Sequence, residues 1–304
     1  MNRWTARAKG YAMILLSALL FGSYGVWSRI LGVEFGVFYQ GWVRSAFILV
    51  VLIPAALIGR HFKRIKRGDQ GWFVVTMLFT VFTQAPLYFA YIHLPLGTAT
   101  FIFYGLFLLT TYAIGWLFLS EKLSPVKIVS FVISLIGLTI TFGLSLPVFS
   151  AVPMLLAAMN GIASGGEIAS SKKLTDRYSS LMVSVYSWIF ILITHLPLSL
   201  LFGEKQIAPA WNLEWWAMIG YAASGLGGFW LVIEGFKYVD ASIGGLIGLL
   251  EIIFSFLFGV LFFNDHITLP VIIGGIIILL AAVLPDVYAL RHPKEKPIPP
   301  TPPI

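Results

Sequence analysis

Four ionisable side chains, Arg44, Glu167, Glu234 and Glu251, stand within long apolar stretches of this 304-residue chain. A charge at the centre of a bilayer costs at least about 2.5–3.5 kcal/mol, so such groups face a cavity or a partner. Glu251, set among Leu249, Leu250, Ile252, Ile253 and Phe254, reads as a carboxylate that faces substrate or carries a proton. The alternative is a structural group that caps a helix break or pairs with Arg44. Arg44, one turn after Gln40, could hold a substrate carboxylate through two parallel bonds. An inter-helix lock, or a side chain reaching the outer headgroups, would use it equally. Glu167 follows Gly161, Ala163, Gly165 and Gly166, and reads either as cavity lining or as an interface residue near Lys172. Glu234 precedes Lys237 by three residues, the spacing of a local ion pair at headgroup level.

Uncharged polar groups extend this set. Gln84 with Pro86 places a hydrogen-bonding amide beside a helix break, and Asn160 aligns with Ser17 of an earlier stretch. Tyr104, with Phe101 and Leu108, forms an aromatic stripe that suits packing or the wall of a hydrophobic cavity. His195, before Pro197, reads as a packing histidine, and Trp188 is a further polar aromatic. The predicted substrate contacts are therefore Arg44, Gln84, Tyr104, Asn160, Glu167 and Glu251, with no metal site and no cofactor. A membrane enzyme acting on lipid would cluster acid, base or metal ligands near one interface. Scattered single groups favour transport over an enzyme or a structural membrane subunit.

The elements that must hold these groups are membrane helices. Mean hydropathy is +0.90. Hydrophobic residues make up 59% of the chain and charged ones 11%, against roughly 25% charged in a soluble domain. Water could not be kept from that much apolar surface, so the chain is an all-α integral membrane protein. Ten stretches, about 10–28, 37–58, 71–91, 97–119, 126–144, 151–170, 180–202, 214–236, 241–263 and 268–289, each have the length a helix needs to cross. The first resembles a signal peptide, but its long core and Trp27-Ser28-Arg29 ending predict an uncleaved helix. Seventeen of the 20 Lys and Arg fall on one side of this ten-span layout; Arg29 and Lys205 fall on the other and Arg44 within the membrane. That bias puts both termini in the cytoplasm of a cell-membrane protein. The net charge of +7 sits in short runs beside apolar stretches, which fits anionic lipid headgroups and not nucleic acid.

The stretches repeat. Residues 98–140 run in step with 242–284 at a shift of 144, and the polar break Ser120-Glu121-Lys122-Leu123-Ser124 falls on Asn264-Asp265-His266-Ile267-Thr268. Near the same shift Gly22 meets Gly165. Five helices per unit is an odd number, so the second unit, 146–290, enters the membrane inverted relative to the first, 1–145. The Pro-rich tail, 291–304, reads as a disordered extension. No loop exceeds about a dozen residues and no Gly-Lys pair begins a P-loop, which excludes ATP-driven pumping by this chain alone.

These stretches resemble the drug/metabolite transporter superfamily, specifically its EamA type. LFGSYGVWSRI (20–30) is similar to the family's first-helix end, and WVRSAFILVVLI (42–53) to its second helix. FLSEKLSPVKIVSFVISLIGL (118–138) matches the fourth-to-fifth junction, and LIGLLEIIFSFLFGVLFFNDHIT (246–268) the ninth helix. The resemblance implies a ten-helix secondary transporter, usually an exporter, of amino acids, other metabolites or drugs. From the residues themselves, either the substrate gradient alone or proton exchange through Glu251 would drive it. Ile252 stands where the family has proline after the ninth-helix Glu, which removes an expected kink, and Asp265 stands where it has Glu.

Overall fold

The computed structural model describes residues 3–31, 34–93, 96–142, 151–264 and 268–291, and among them every regular element is helical. The order is α1 (Arg3–Gly22), α2 (Tyr24–Leu31), α3 (Val37–Ile58), α4 (Gln70–Val81), α5 (Ala85–His93), α6 (Leu96–Phe118), α7 (Pro125–Phe142), α8 (Ala151–Thr175), α9 (Ser180–Leu201), α10 (Leu213–Phe236), α11 (Ala241–Gly248), α12 (Leu250–Phe263) and α13 (Leu269–Arg291). A single 3-10 turn, Arg67–Asp69, precedes α4. Ten membrane spans result, because α1–α2, α4–α5 and α11–α12 are each one span with a break. Eight are long and apolar enough to cross by themselves, and Leu269–Pro285 is a shorter apolar helix. The sixth span, α8, falls outside that set because Ser164–Lys173 holds Glu167 and two lysines. It compensates by position, packing against α4, α5, α6, α10 and α11 in the interior.

Each break has a local cause. At Ser23 the hydroxyl donates back to the Leu20 carbonyl at 2.6 Å, a bond that competes with the helical ladder. Thr83 does the same to Thr80 O at 2.8 Å, just before Pro86. At Leu249 no proline is needed. The preceding eight residues include Gly244, Gly245 and Gly248, poor helix formers. The kink that Ile252 seemed to remove is thus present three residues earlier. Gly244 and Gly245 are there for close packing: a Cβ would stand 2.6 Å from the Phe236 ring and 2.7 Å from Thr111 Oγ1 respectively.

The repeat is visible in the packing. The first span lies against the eighth and ninth, and the sixth against the third and fourth; the second meets the seventh, the fifth the tenth and the fourth the ninth. Exchanging each span with the one five later returns the same set of pairs. Single contacts obey the same shift. A Cβ on Gly22 would stand 3.0 Å from Glu251 O and 2.7 Å from Phe254 Cβ; one on Gly165 would stand 2.6 Å from Phe107 O and 3.0 Å from Thr110 Cβ. Adding 144 to 107 and 110 gives 251 and 254. Ser120 and Asn264, also 144 apart, both adopt left-handed backbone, with φ of 56° and 54°. Asp265, expected to match Glu121, lies outside the described residues.

Two glutamates tie the halves together. Glu121, 8% exposed, accepts from Ala241 N at 2.6 Å and from Ser242 N and Oγ at 3.3 and 3.1 Å, which caps α11. Lys172 Nζ stands 2.9 Å from the same carboxylate and 2.7 Å from the Val239 carbonyl. Asp240, at the N-cap position, is turned instead to Lys127 at 2.8 Å. Burial alone would raise the Asp240 carboxyl, but Lys127 and Lys172 outweigh it and hold it below the usual range. Its share of stability is therefore present at neutral pH and fades as pH falls through the acid range. At the opposite end Glu204 accepts from Phe38 N and Tyr39 N, at 3.1 and 2.6 Å, and caps α3. Glu121→Ala leaves Lys172 and the first turn of α11 without their acceptor, a loss of about 3 kcal/mol. The melting midpoint of the purified protein is expected to fall by roughly 6 °C or more in a fluorescence melt.

Candidate functional site

A cavity of about 490 Å³ runs through the middle of the helix bundle. Its lining comes from every span except the second and tenth, and the fifth contributes Phe142 alone. At the basic end it reaches Ile14, Phe236 and Gly244, directly above the Glu121 clasp; at the other it reaches Ser28, Arg29 and Phe263. Arg29 lies there with its guanidinium 4.8 Å from the Phe263 ring.

The three helix breaks border this cavity, and at the second of them a side chain in its wall meets the freed carbonyl. Asn160 Nδ2 donates to Phe82 O at 2.9 Å, the carbonyl exposed where α4 ends. The aligned Ser17 donates to Gly228 O at 2.7 Å across the halves, but that carbonyl lies within the unbroken α10 and not at a break. Ser23 Oγ pairs with Ser224 Oγ at 3.0 Å, and Trp27 Nε1 donates to both.

Glu167, 5% exposed, faces the cavity from α8 and accepts from Thr80 Oγ1 at 2.5 Å; Ser187 Oγ is 3.2 Å from that hydroxyl. The reading that placed Glu167 near Lys172 does not hold, because Lys172 is taken by Glu121. Glu251 sits in the first turn of α12, and its carboxyl hydrogen-bonds to the Tyr104 hydroxyl. No ion pair joins Glu251 to Arg44 among the described residues, so that alternative is also set aside. Glu234 behaves as its spacing predicts, with Lys237 Nζ at 2.6 Å and Ser180 as a second partner.

Arg44 is 1% exposed and stands behind the lining, not in it. Its guanidinium carbon lies 4.2 Å from the Tyr221 ring centre, 5.2 Å from Tyr24 and 5.4 Å from Trp188. One nitrogen, Nη2, donates to Gln84 Oε1. A desolvated cation over aromatic faces gains about 2 kcal/mol or more, which replaces an ion pair here. Gln84, Tyr104, Asn160, Glu167 and Glu251 all line the cavity; Arg44 meets it through Gln84, the three rings and Tyr88, a further lining residue, while its Nε and Nη1 have no protein partner.

Sequence reasoning found the charged and amide members and missed Tyr24, Thr80, Ser187 and Tyr221. Tyr221 and Tyr24 each stand beside small residues within an apolar span, the one signal that separates them from belt tyrosines. The aromatic stripe was offset: Phe103 and Phe107 line the cavity with Tyr104, whereas Leu108 is wholly buried in packing. His195 is buried outside the cavity, with Nδ1 3.1 Å from Thr194 Oγ1. Among the described residues no cluster of three His, Asp or Glu could hold a metal ion.

The described residues form a bundle of ten spans in two matched halves, with an aromatic cavity lined from both. Residues 8–143 and 151–284 each match the EamA-like transporter family. The chain belongs to that family, a branch of the drug/metabolite transporter superfamily, and is a transporter and not an enzyme. A protein of Pseudomonas aeruginosa named a probable biotin transporter is 31% identical over 133 residues. That alignment spans 41% of this chain and 46% of the relative. A solved crystal structure superposes with a TM-score of 0.77 over 97% of this chain and 100% of its own, at 19% identity, which shows the fold alone.

Thr80→Val keeps the volume of the side chain and removes the hydroxyl donor to Glu167. It is expected to cost about 2 kcal/mol, as a bond to a charged acceptor does. Thr83→Val, at the rim of the same break, should cost less than half as much in the same thermal melt, because Thr83 donates only to a backbone carbonyl.

Proposed function

We propose that the cavity is the substrate site of a secondary transporter that exports a small amphipathic metabolite such as an amino acid by alternating access. What supports this reading is a cavity lined from both repeats and deep enough to reach the carboxylates of Glu167 and Glu251. Its size and largely aromatic lining suit a small metabolite with a few polar groups. Gln84, Tyr104, Asn160, Glu167 and Glu251 contact the substrate, and Arg44 positions the wall from behind. The units 1–145 and 146–290 move against one another, and release to the basic side requires the Glu121 contacts with α11 to open. Protons serve as the counter-ion through Glu251. The substrate printed in the name of the Pseudomonas relative, biotin, supplies a second reading.

Counterflow of radiolabelled metabolites into proteoliposomes is expected to show exchange for amino acids; a protein that exchanges none of a broad panel is not a transporter of this kind. Glu251→Gln keeps the shape and removes the titration. A folded Glu251→Gln protein should move substrate at a rate that no longer responds to an imposed pH gradient, and an unchanged response rules out proton coupling there.

The basic end faces the cytoplasm in this proposal, with both termini inside the cell membrane. Single cysteines at Ser124 and Thr268 should therefore label from opposite sides with an impermeant maleimide. Labelling of both from one side would sink the inverted arrangement.

A further inference from the structure

We infer that the cavity recognises a hydrogen-bond acceptor: its ligand carries a carboxylate, held at Arg44 and Trp188, and acids bind in preference to amines of the same shape. This rests on the transporter reading, narrows its substrate class and gives Arg44 a second task beside holding the wall. The first observation is the state of the guanidinium. Arg44 is 1% exposed and spends one nitrogen, Nη2, on Gln84 Oε1. Its Nε and Nη1, which carry most of the N–H donors of an arginine, have no protein partner. Both of its polar neighbours, Gln84 and the Tyr88 hydroxyl, are uncharged. Among the described residues no Asp or Glu pairs with it; Glu167 is met by Thr80 and Glu251 by Tyr104. The three rings favour the cation but accept nothing from those two nitrogens. A buried charge in that condition is costly until an anion meets it.

The second observation concerns the lining itself. Two buried polar atoms among the described lining residues, Trp188 Nε1 and Tyr221 Oη, have no protein partner. An unpaired buried polar atom costs free energy unless a ligand meets it. The indole nitrogen can only donate, and the phenol can donate as well as accept. Both rings lie against Arg44, with centres 5.4 and 4.2 Å from the guanidinium carbon, so the four unpaired atoms gather in one part of the wall. Three of the four only donate. A carboxylate answers such a set with its two oxygens and supplies the missing negative charge, whereas an ammonium could serve the phenol alone. Tyr24, the third ring on Arg44, is half-buried and opens α2 just after the break at Ser23. It is the ring that turns aside to admit the ligand.

Three probes with one apolar body test this: 3-phenylpropionate, phenylalanine and 2-phenylethylamine. Binding to the purified full-length protein would be titrated calorimetrically, and flux followed in proteoliposomes. The acid is expected to bind at least about tenfold more tightly than the amine, as a charge-assisted bond to a buried guanidinium requires, with phenylalanine between them. Arg44→Lys keeps the positive charge and loses the planar set of donors; it should weaken the acid about tenfold and leave the amine within about twofold. Trp188→Phe, which keeps a ring and carries the test if the Lys variant does not fold, should weaken the acid about threefold. A purely structural role for either residue would move all three probes together and overturns the inference. So does equal or tighter binding of the amine, as a guanidinium answered by water alone would give, or no binding of any probe. A preference that survives both substitutions overturns it as well. Flux of phenylethylamine without flux of the acid overturns it and leaves the transport reading intact. Selective binding of the acid with no flux of any metabolite would instead sink the transport reading and leave the recognition standing.

Discussion

Hydrocarbon supplies no hydrogen bonds, so every polar group exposed by a break in a membrane helix must find a partner within the protein. That constraint orders the centre of this molecule. The breaks at Ser23, Phe82–Gln84 and Leu249 lie beside the cavity, and Asn160 in its wall answers the second by meeting Phe82 O. Ser17 meets Gly228 O across the halves, and Ser224, behind the lining, meets the Ser23 hydroxyl. The polar character of the cavity is thus partly a by-product of holding three bent helices together. The two glutamates are what remains after that structural demand is met.

Arg44 departs from that accounting, with no carboxylate partner among the described residues and with Nε and Nη1 unpaired. Pairing it with Glu251 or Glu167 would neutralise the cavity and stiffen the bundle around an ion pair. Three aromatic faces carry the cation instead, with one amide bond to Gln84. Those rings belong to the first, seventh and eighth spans, so Arg44 on the second span joins helices of both repeats from behind the site.

Much of this was legible in the sequence. Apolar runs of span length located the helices, and the polar break shared by Ser120 and Asn264 located the repeat, because a polar segment between apolar ones has few equivalent alignments. Lining residues with charge or an amide also stood out, since such groups are costly in lipid. The breaks were less legible. Leu249 has no proline beside it, and its interruption depends on glycines that also serve packing against Phe236 and Thr111. The cage around Arg44 could not be read at all, because tyrosines and tryptophans in separate spans carry no mark of who faces whom. Glu121 was read only as part of the polar break that marks the repeat, whereas it caps a helix start 120 residues later.

That reach across the chain bears on how the protein is made. The first turn of α3 waits for Glu204, 165 residues downstream, and Glu121 waits equally for the start of α11. During synthesis the second span therefore enters the bilayer with its leading amides unanswered, and the fourth leaves its loop carboxylate without a destination. Neither half can finish before the other arrives. These two helix starts are therefore completed only once both halves are in the membrane.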